Sequence, residues 1–421
     1  MIPTELTRLQ RYCVLACALL AWMCSGLLLA MPPLAARQAV ASMGVTDEAM
    51  RGVWFSRYVC AFLLGAAAGG LIFGFLGDRL GRSKALGLSV LTYSLLAGAC
   101  YFVQTPEQLL VLWFLACTGV GGVWPNGVSL AAEAFPGVSR PWLSGIFGTV
   151  ANLGLIMLSE LSGLRKITPD DWRWVLLVCA SPVVLGAFVV LFLPESPMWL
   201  KQKLKPRSPD ARPVSPTAEV FRPPILKYTI LGILLAAVPM MGNWGATNWM
   251  VPWASKVQEQ SHDTKFEGLS ASTQTSKSSG AAIGALLGGW IASLLGRRTS
   301  YFVISLISLA SSFYIFHSLT PLDEWFLYWV FVQGFFGTVY FGWMPLYFPE
   351  LFPTRMRATG TGVAFNWGRI ATAVGVFMGG WLMLSFQGDY AKVGQVTCLV
   401  YAVGLVVICF APDTSQKRLD E

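Results

Sequence analysis

Apolar residues gather in twelve windows along the chain, near 12–34, 54–77, 84–103, 109–132, 142–163, 172–193, 228–254, 270–295, 299–318, 324–348, 358–385 and 392–411. A helix needs roughly 20 mainly apolar residues to cross the hydrocarbon core of a bilayer, so each window reads as a transmembrane helix. The long runs carry internal Gly and Pro and show no short alternating strands, which excludes an outer-membrane barrel. The windows fall as six, a gap and six. The gap, 201–227, holds seven Lys/Arg against two acids together with Pro206, Pro209, Pro213, Pro216, Pro223 and Pro224, the composition of a solvated linker. The pattern predicts an all-α membrane protein with an N-terminal six-helix bundle over 1–200, a basic Pro-rich linker over 201–227 and a C-terminal six-helix bundle over 228–421.

Composition agrees with this pattern, since 55% of the 421 residues are hydrophobic and 12% charged, against about 25% charged in ordinary soluble domains. The net charge of +8 comes from basic residues in short polar loops, so it reports orientation and not nucleic-acid binding. With the N-terminus placed in the cytoplasm, that side collects 19 of the 30 Lys/Arg. Both termini are therefore expected in the cytoplasm, in an inner or plasma membrane. The first apolar stretch, preceded by Arg8 and Arg11, is too long for a typical signal peptide and reads as the first span. The nine cysteines all fall in apolar stretches, as small packing residues do. The two histidines, His262 and His317, lie in a loop and at a span end, and no metal, cofactor or nucleophile constellation is present. An enzyme is not expected.

Three local patterns recur at nearly one offset. Glu133, Phe135, Pro136, Arg140 and Gly145 recur as Glu350, Phe352, Pro353, Arg357 and Gly362; Pro194-Glu195-Ser196 recurs as Pro412-Asp413-Thr414; and Gly74, Gly81 and Arg82 recur as Gly289, Gly296 and Arg297. Each pair follows the corresponding span of its half, as in a duplicated six-helix unit.

These residues resemble the major facilitator superfamily over the whole chain. Gly74-Phe75-Leu76-Gly77-Asp78-Arg79-Leu80-Gly81-Arg82-Ser83-Lys84 is similar to that family's signature between the second and third spans. Pro194-Glu195-Ser196-Pro197 resembles the ending of the sixth span in sugar and metabolite carriers, and the run from Glu350 to Gly360 resembles the motif after the tenth. The resemblance implies alternating access, in which two bundles rock around a site near the bilayer midplane. It also implies a cytoplasmic gate built from Gly74, Asp78, Arg79, Gly81, Arg82, Glu133, Arg140, Glu350 and Arg357. Asp78 is suited to accept bonds from a helix N-terminus of the other half, Arg82 to pair with Glu133 or a neighbouring acid, and the glycines to let helices approach. Ser293 and Leu294 stand where the first half has Asp78 and Arg79, so the gate is expected to be carried mainly by the first half.

Charges inside spans are costly and mark function. Arg369, near mid-depth in the eleventh span, and Lys277, within the polar run Ser272-Thr273-Gln274-Thr275-Ser276-Lys277-Ser278-Ser279 of the eighth, are the cationic candidates. Glu160 in the fifth span is read as an embedded carboxyl suited either to carry a coupled proton or to pair with a basic residue. The seventh span offers Asn243, Trp244, Asn248 and Trp249 as a ligand wall, with Asn126, Gln333, Tyr340 and Asn366 as further polar groups. This stretch is more similar to metabolite and organic-acid symporters than to sugar porters, whose paired glutamines are absent. Proton-linked relatives often carry an arginine in the fourth span and an acid in the first, and Trp113-Phe114-Leu115 and Trp22-Met23-Cys24-Ser25 stand there instead. The expected function is secondary transport of a small organic anion, a carboxylate or sugar acid, with proton symport. The alternatives are a sugar carrier, a drug or metabolite exporter, and a non-transporting nutrient sensor. The expected partners are the solute and membrane lipid, with no cofactor beyond a transmembrane proton gradient, and two bundles in one chain suffice for a monomer.

Overall fold

The computed structural model describes residues 6–135, 137, 140–204, 219–261, 263–353 and 356–414, and among them there is no strand. Twelve helices run antiparallel in sequence: α1 (Arg8–Ser42), α2 (Glu48–Leu80), α3 (Arg82–Ala99), α4 (Pro106–Ala134), α5 (Arg140–Leu164) and α6 (Trp174–Ala180, continued by Val183–Phe192). The second six are α7 (Leu226–Met241, continued to Ser261), α8 (Leu269–Leu295), α9 (Arg297–Ser318), α10 (Phe326–Leu351), α11 (Arg357–Ser385) and α12 (Tyr390–Thr397, continued by Val400–Cys409). The predicted linker contributes Lys201–Leu204 to a short helix, Pro197–Leu204, and its stretch 205–218 lies outside the described residues.

Several helices outrun their apolar windows because polar caps, invisible to hydropathy, extend them. Thr7 and Gln10 cap α1 reciprocally, Asp47 accepts from the Met50 N–H at the start of α2, and Thr105 does the same for Gln108 at α4. Among the described residues, eleven helical segments are long and apolar enough to span a bilayer. The twelfth, α10, has 26 residues, about 39 Å at 1.5 Å per residue. Its hydropathy is lowered by Gln333, Tyr340 and Tyr347, all buried inside the bundle.

The two halves repeat each other in detail. α2 passes to α3 through Gly81 at φ 110°, and α8 passes to α9 through Gly296 at φ 81°, a backbone region that favours glycine. Directly after each turn an arginine pairs with the glutamate closing the corresponding helix: Arg82 with Glu133 at 2.9 Å and Arg297 with Glu350 at 2.9 Å. α8 lies against α10 so closely that a Cβ on Gly280 or Gly284 would collide with the carbonyls of Phe331 and Phe335. Close backbone approach is how helices gain packing energy where lipid removes the hydrophobic drive.

The side carrying the linker and the opposite, far side differ in how the bundles meet. At the far side Arg37 of α1 forks onto Glu48 of α2, with both bonds at 2.8 Å, and reaches across to Glu259 of α7. Gln38 also donates to Glu259, and Tyr390 of α12 donates to Glu48 at 2.8 Å. Further in, Ser56 of α2 packs on Gly380 of α11 and the Cys60 thiol donates to the Ala373 carbonyl at 3.1 Å. Followed in steps of three or four toward the linker side, the same α2 face is exposed at Leu64, Leu71 and Phe75. The far side is closed, and on the linker side of Cys60 no described hydrogen bond joins α2 to α11.

Candidate functional site

Helix α7 is irregular where the candidate wall lies. Gly242–Ala246 widens into a π-turn and Thr247–Trp249 tightens into a 3-10 turn. Pro252 lies in the first turn of the segment that resumes at Met250, where its missing N–H costs nothing. Such breaks re-aim side chains within an otherwise regular helix. Here Asn248 is turned onto α8, where its Oδ1 accepts a bond of 2.8 Å from Lys277 Nζ. Both side chains are buried, and Lys277 makes no ion pair with a described carboxylate. Gln274 and Ser278 lie on the same α8 face, at the i, i+3, i+4 spacing, and Gln274 Nε2 donates to Ser278 Oγ at 2.8 Å.

Arg369 is half-buried on α11, one turn toward the linker side of Ala373, whose carbonyl accepts from Cys60 of α2. Its guanidinium lies 4.8 Å from the centre of the Phe365 ring, and Asn366 is half-buried on the same face. No described bond joins Arg369 to the Lys277–Asn248 pair, so the two cations form two stations at different depths. Between the bundles Trp244 meets Phe62 of α2 at 4.7 Å and Trp249 meets Phe55 of α2 at 4.8 Å, while within its own bundle Trp249 lies 5.9 Å from Tyr390 of α12. Trp249 is fully buried and belongs to the far-side closure; Trp244 is half-buried beneath it.

Several expected site groups face the interior of one bundle. Asn126 donates to the Phe73 carbonyl at 3.0 Å and to Gly122, joining α4 to α2. Gln333 bonds Ser311 and the Tyr401 hydroxyl, and Tyr340 donates to Ser305 at 2.7 Å. Asn243 Nδ2 donates to the Gly337 carbonyl at 3.2 Å and is half-buried. Asn126, Gln333 and Tyr340 are thus consumed by helix packing. Glu160 is not embedded as expected. It is exposed near the far end of α5 and accepts a 2.7 Å bond from Thr275 of α8, so it joins the bundles and is not enclosed.

On the linker side Asp78 and Arg79 are exposed, Arg79 resting on Phe75 at 4.2 Å. Asp78 makes no described bond to the other bundle, contrary to the expected gate contact. The N-terminus of α3 is instead capped within its own bundle by Glu195, which accepts from the Arg82 and Ser196 N–H groups, both at 2.9 Å, and from Ser83. A Cβ on Gly77 would meet the Asn126 side chain, so that glycine serves a close approach, whereas the Cβ position of Gly74 is open. Arg357 is half-buried at the start of α11, and the Arg140 side chain lies outside the described residues.

The sequence reading missed the far-side network of Arg37, Gln38, Glu48, Glu259 and Tyr390. Its signal was a lone arginine just past the first window, in a region otherwise poor in Lys/Arg.

A sequence model described as Major Facilitator Superfamily matches residues 11–276 and 273–420. The chain belongs to the major facilitator superfamily. It is a membrane transporter, not an enzyme, and its relatives move metabolites and organic acids. It is 29% identical over 318 residues to the cis,cis-muconate transport protein of Acinetobacter baylyi, covering 74% of each chain. It is 26% identical to a putative niacin/nicotinamide transporter of Bacillus subtilis, covering 85% of this chain and 86% of the relative. Among solved structures it superposes on the Escherichia coli xylose transporter, in a partially occluded inward open conformation, with a TM-score of 0.72 at 13% identity, covering 96% of this chain and 99% of that one.

Proposed function

We propose that this transporter carries a small organic anion, a carboxylate or sugar acid, by alternating access, with a proton moving in symport. The observation that carries the reading is Lys277, an ammonium buried between α7 and α8 whose described partner is the neutral Asn248 oxygen. A buried charge without a counter-ion is costly, so the fold retains it for a ligand that brings the opposite charge. Arg369, on the linker side of the α2–α11 contact, adds a second positive station along the path. The carboxylate named in the muconate relative supports the same solute class.

In this reading the linker side is cytoplasmic, and the far-side closure is the state in which solute leaves toward the cytoplasm. Glu160 is the candidate for proton coupling because it bonds Thr275 across the bundles, so its protonation is felt by both. The test is gradient-driven uptake of labelled carboxylates into proteoliposomes. Acid uptake should rise with an inward proton gradient and fall toward the gradient-free rate in Glu160→Gln. Uptake indifferent to the gradient would remove the coupling while leaving the anion reading intact.

A further inference from the structure

The cluster around Lys277 has more hydrogen-bonding capacity than its neighbours use. An ammonium has three donors, and one of them is described, to Asn248 Oδ1. Asn248 Nδ2 is buried with no partner, and so is Gln274 Oε1. Asn248 and Gln274 are 2% and 1% exposed, so water outside the bundle does not satisfy them. The adjacent polar groups are already spent on their own helices: Trp249 Nε1 on the Gly245 carbonyl, Thr247 on Asn243 and Thr273 on Leu269. Orphaned donors and acceptors of this kind are rare in folded interiors, and each costs about 1–3 kcal/mol. Four donors are open, two on Lys277 and two on Asn248 Nδ2, and the open acceptor is Gln274 Oε1.

That inventory has a chemical complement. A carboxylate accepts from several donors and supplies the missing negative charge, and a hydroxyl beside it supplies the proton that Gln274 Oε1 lacks. We infer that Lys277, Asn248 and Gln274 form the subsite for a hydroxy-acid, with Lys277 and Asn248 holding the carboxylate and Gln274 reading the hydroxyl. The Asn248 amide oxygen occupies the position at Lys277 that the carboxylate would take. The irregular turn at 242–249 lets α7 move when the solute replaces it. The inference rests on the organic-anion reading and adds the residue that discriminates among anions.

The test uses matched pairs, propionate and lactate, succinate and malate, benzoate and hydroxybenzoate, in proteoliposomes of the full chain. The wild type should prefer the hydroxylated member of the transported pair by about tenfold or more, as sites built to bond a hydroxyl do. Gln274→Met should bring the preference close to one. Lys277→Met and Asn248→Asp, the latter giving Lys277 a permanent carboxylate, should each lower uptake of both members at least about tenfold, with partial recovery in Lys277→Arg. Size-exclusion profiles and far-UV circular dichroism report folding of each variant. An unchanged preference in Gln274→Met, a wild type that favours the deoxy acid, or full uptake by Lys277→Met or Asn248→Asp would overturn the subsite. The wild type's uptake of the deoxy acids is a separate readout. If no carboxylate of either kind moves, the organic-anion reading itself falls, and the subsite with it.

Discussion

Arg369 and Lys277 were both visible in the sequence as charges inside spans, and the structure assigns them different surroundings. Lys277 is enclosed and bonded to Asn248, whereas Arg369 is half-buried one turn toward the linker side of the Cys60–Ala373 contact. Replacing Arg369 by Gln removes the charge and leaves a shorter, polar amide. Arg369→Gln should lower acid uptake by at least about tenfold, mainly through a higher KM, while the purified protein stays monodisperse. Uptake kinetics at varied substrate concentration check this, and an unchanged KM would take Arg369 out of the path. The errors at this scale share one cause. A polar residue in a span faces either the central path or the interior of its own bundle, and spacing does not tell these apart. Asn126, Gln333 and Tyr340 went to bundle interiors, where carbonyls and hydroxyls of neighbouring helices satisfy them.

Among the elements, hydropathy located all twelve helices but blurred their ends and the break in α7. Caps such as Thr7 and Asp47 are polar and lie outside any apolar window. The α7 break was legible only as a run of Gly, Asn and Pro, and its π and 3-10 turns depend on packing against α11 and α12. Gly242, for instance, lies where a Cβ would strike the Tyr401 ring. The α8–α10 contact makes a sharp prediction. Gly284→Val would drive a branched side chain into the Phe335 backbone, and overpacking of this kind costs about 1–3 kcal/mol or more. The thermal midpoint of the detergent-purified variant should fall by several degrees, and an unchanged midpoint would contradict the close approach. The repeated pairs make a second prediction. Arg297→Glu or Glu350→Arg alone should reduce folded yield, because removing one partner strands a buried charge. The double reversal should recover much of it, as judged by fluorescence-detected size exclusion.

Over the whole molecule, the duplication seen as recurring motifs becomes two bundles closed against each other on the far side. Arg37 is the centre of that closure, 5% exposed and shared between Glu48 of its own bundle and Glu259 of the other. The sequence hid it because the partners lie on three different helices and meet only when the bundles close. Breaking a buried pair by removing one partner costs about 3–5 kcal/mol. Arg37→Ala should therefore shift the population strongly toward far-side-open forms. Cys60, whose thiol lies in the α2–α11 contact, is a native reporter. Its labelling by a membrane-impermeant maleimide, followed by mass spectrometry, should speed up at least about tenfold in Arg37→Ala. An unchanged rate would mean that the aromatic contacts of Trp244 and Trp249 hold the far side shut without the ion pairs.

The central claim is that the buried cation on α8 exists to meet an anion. It is tested most directly by uptake into proteoliposomes of three labelled pools, carboxylates, neutral sugars and organic cations, by wild type and Lys277→Met in parallel. The account predicts that the wild type accumulates carboxylates and neither of the other pools, and that Lys277→Met loses this uptake. Transport of sugars or cations alone, or carboxylate uptake that survives the loss of Lys277, would contradict it.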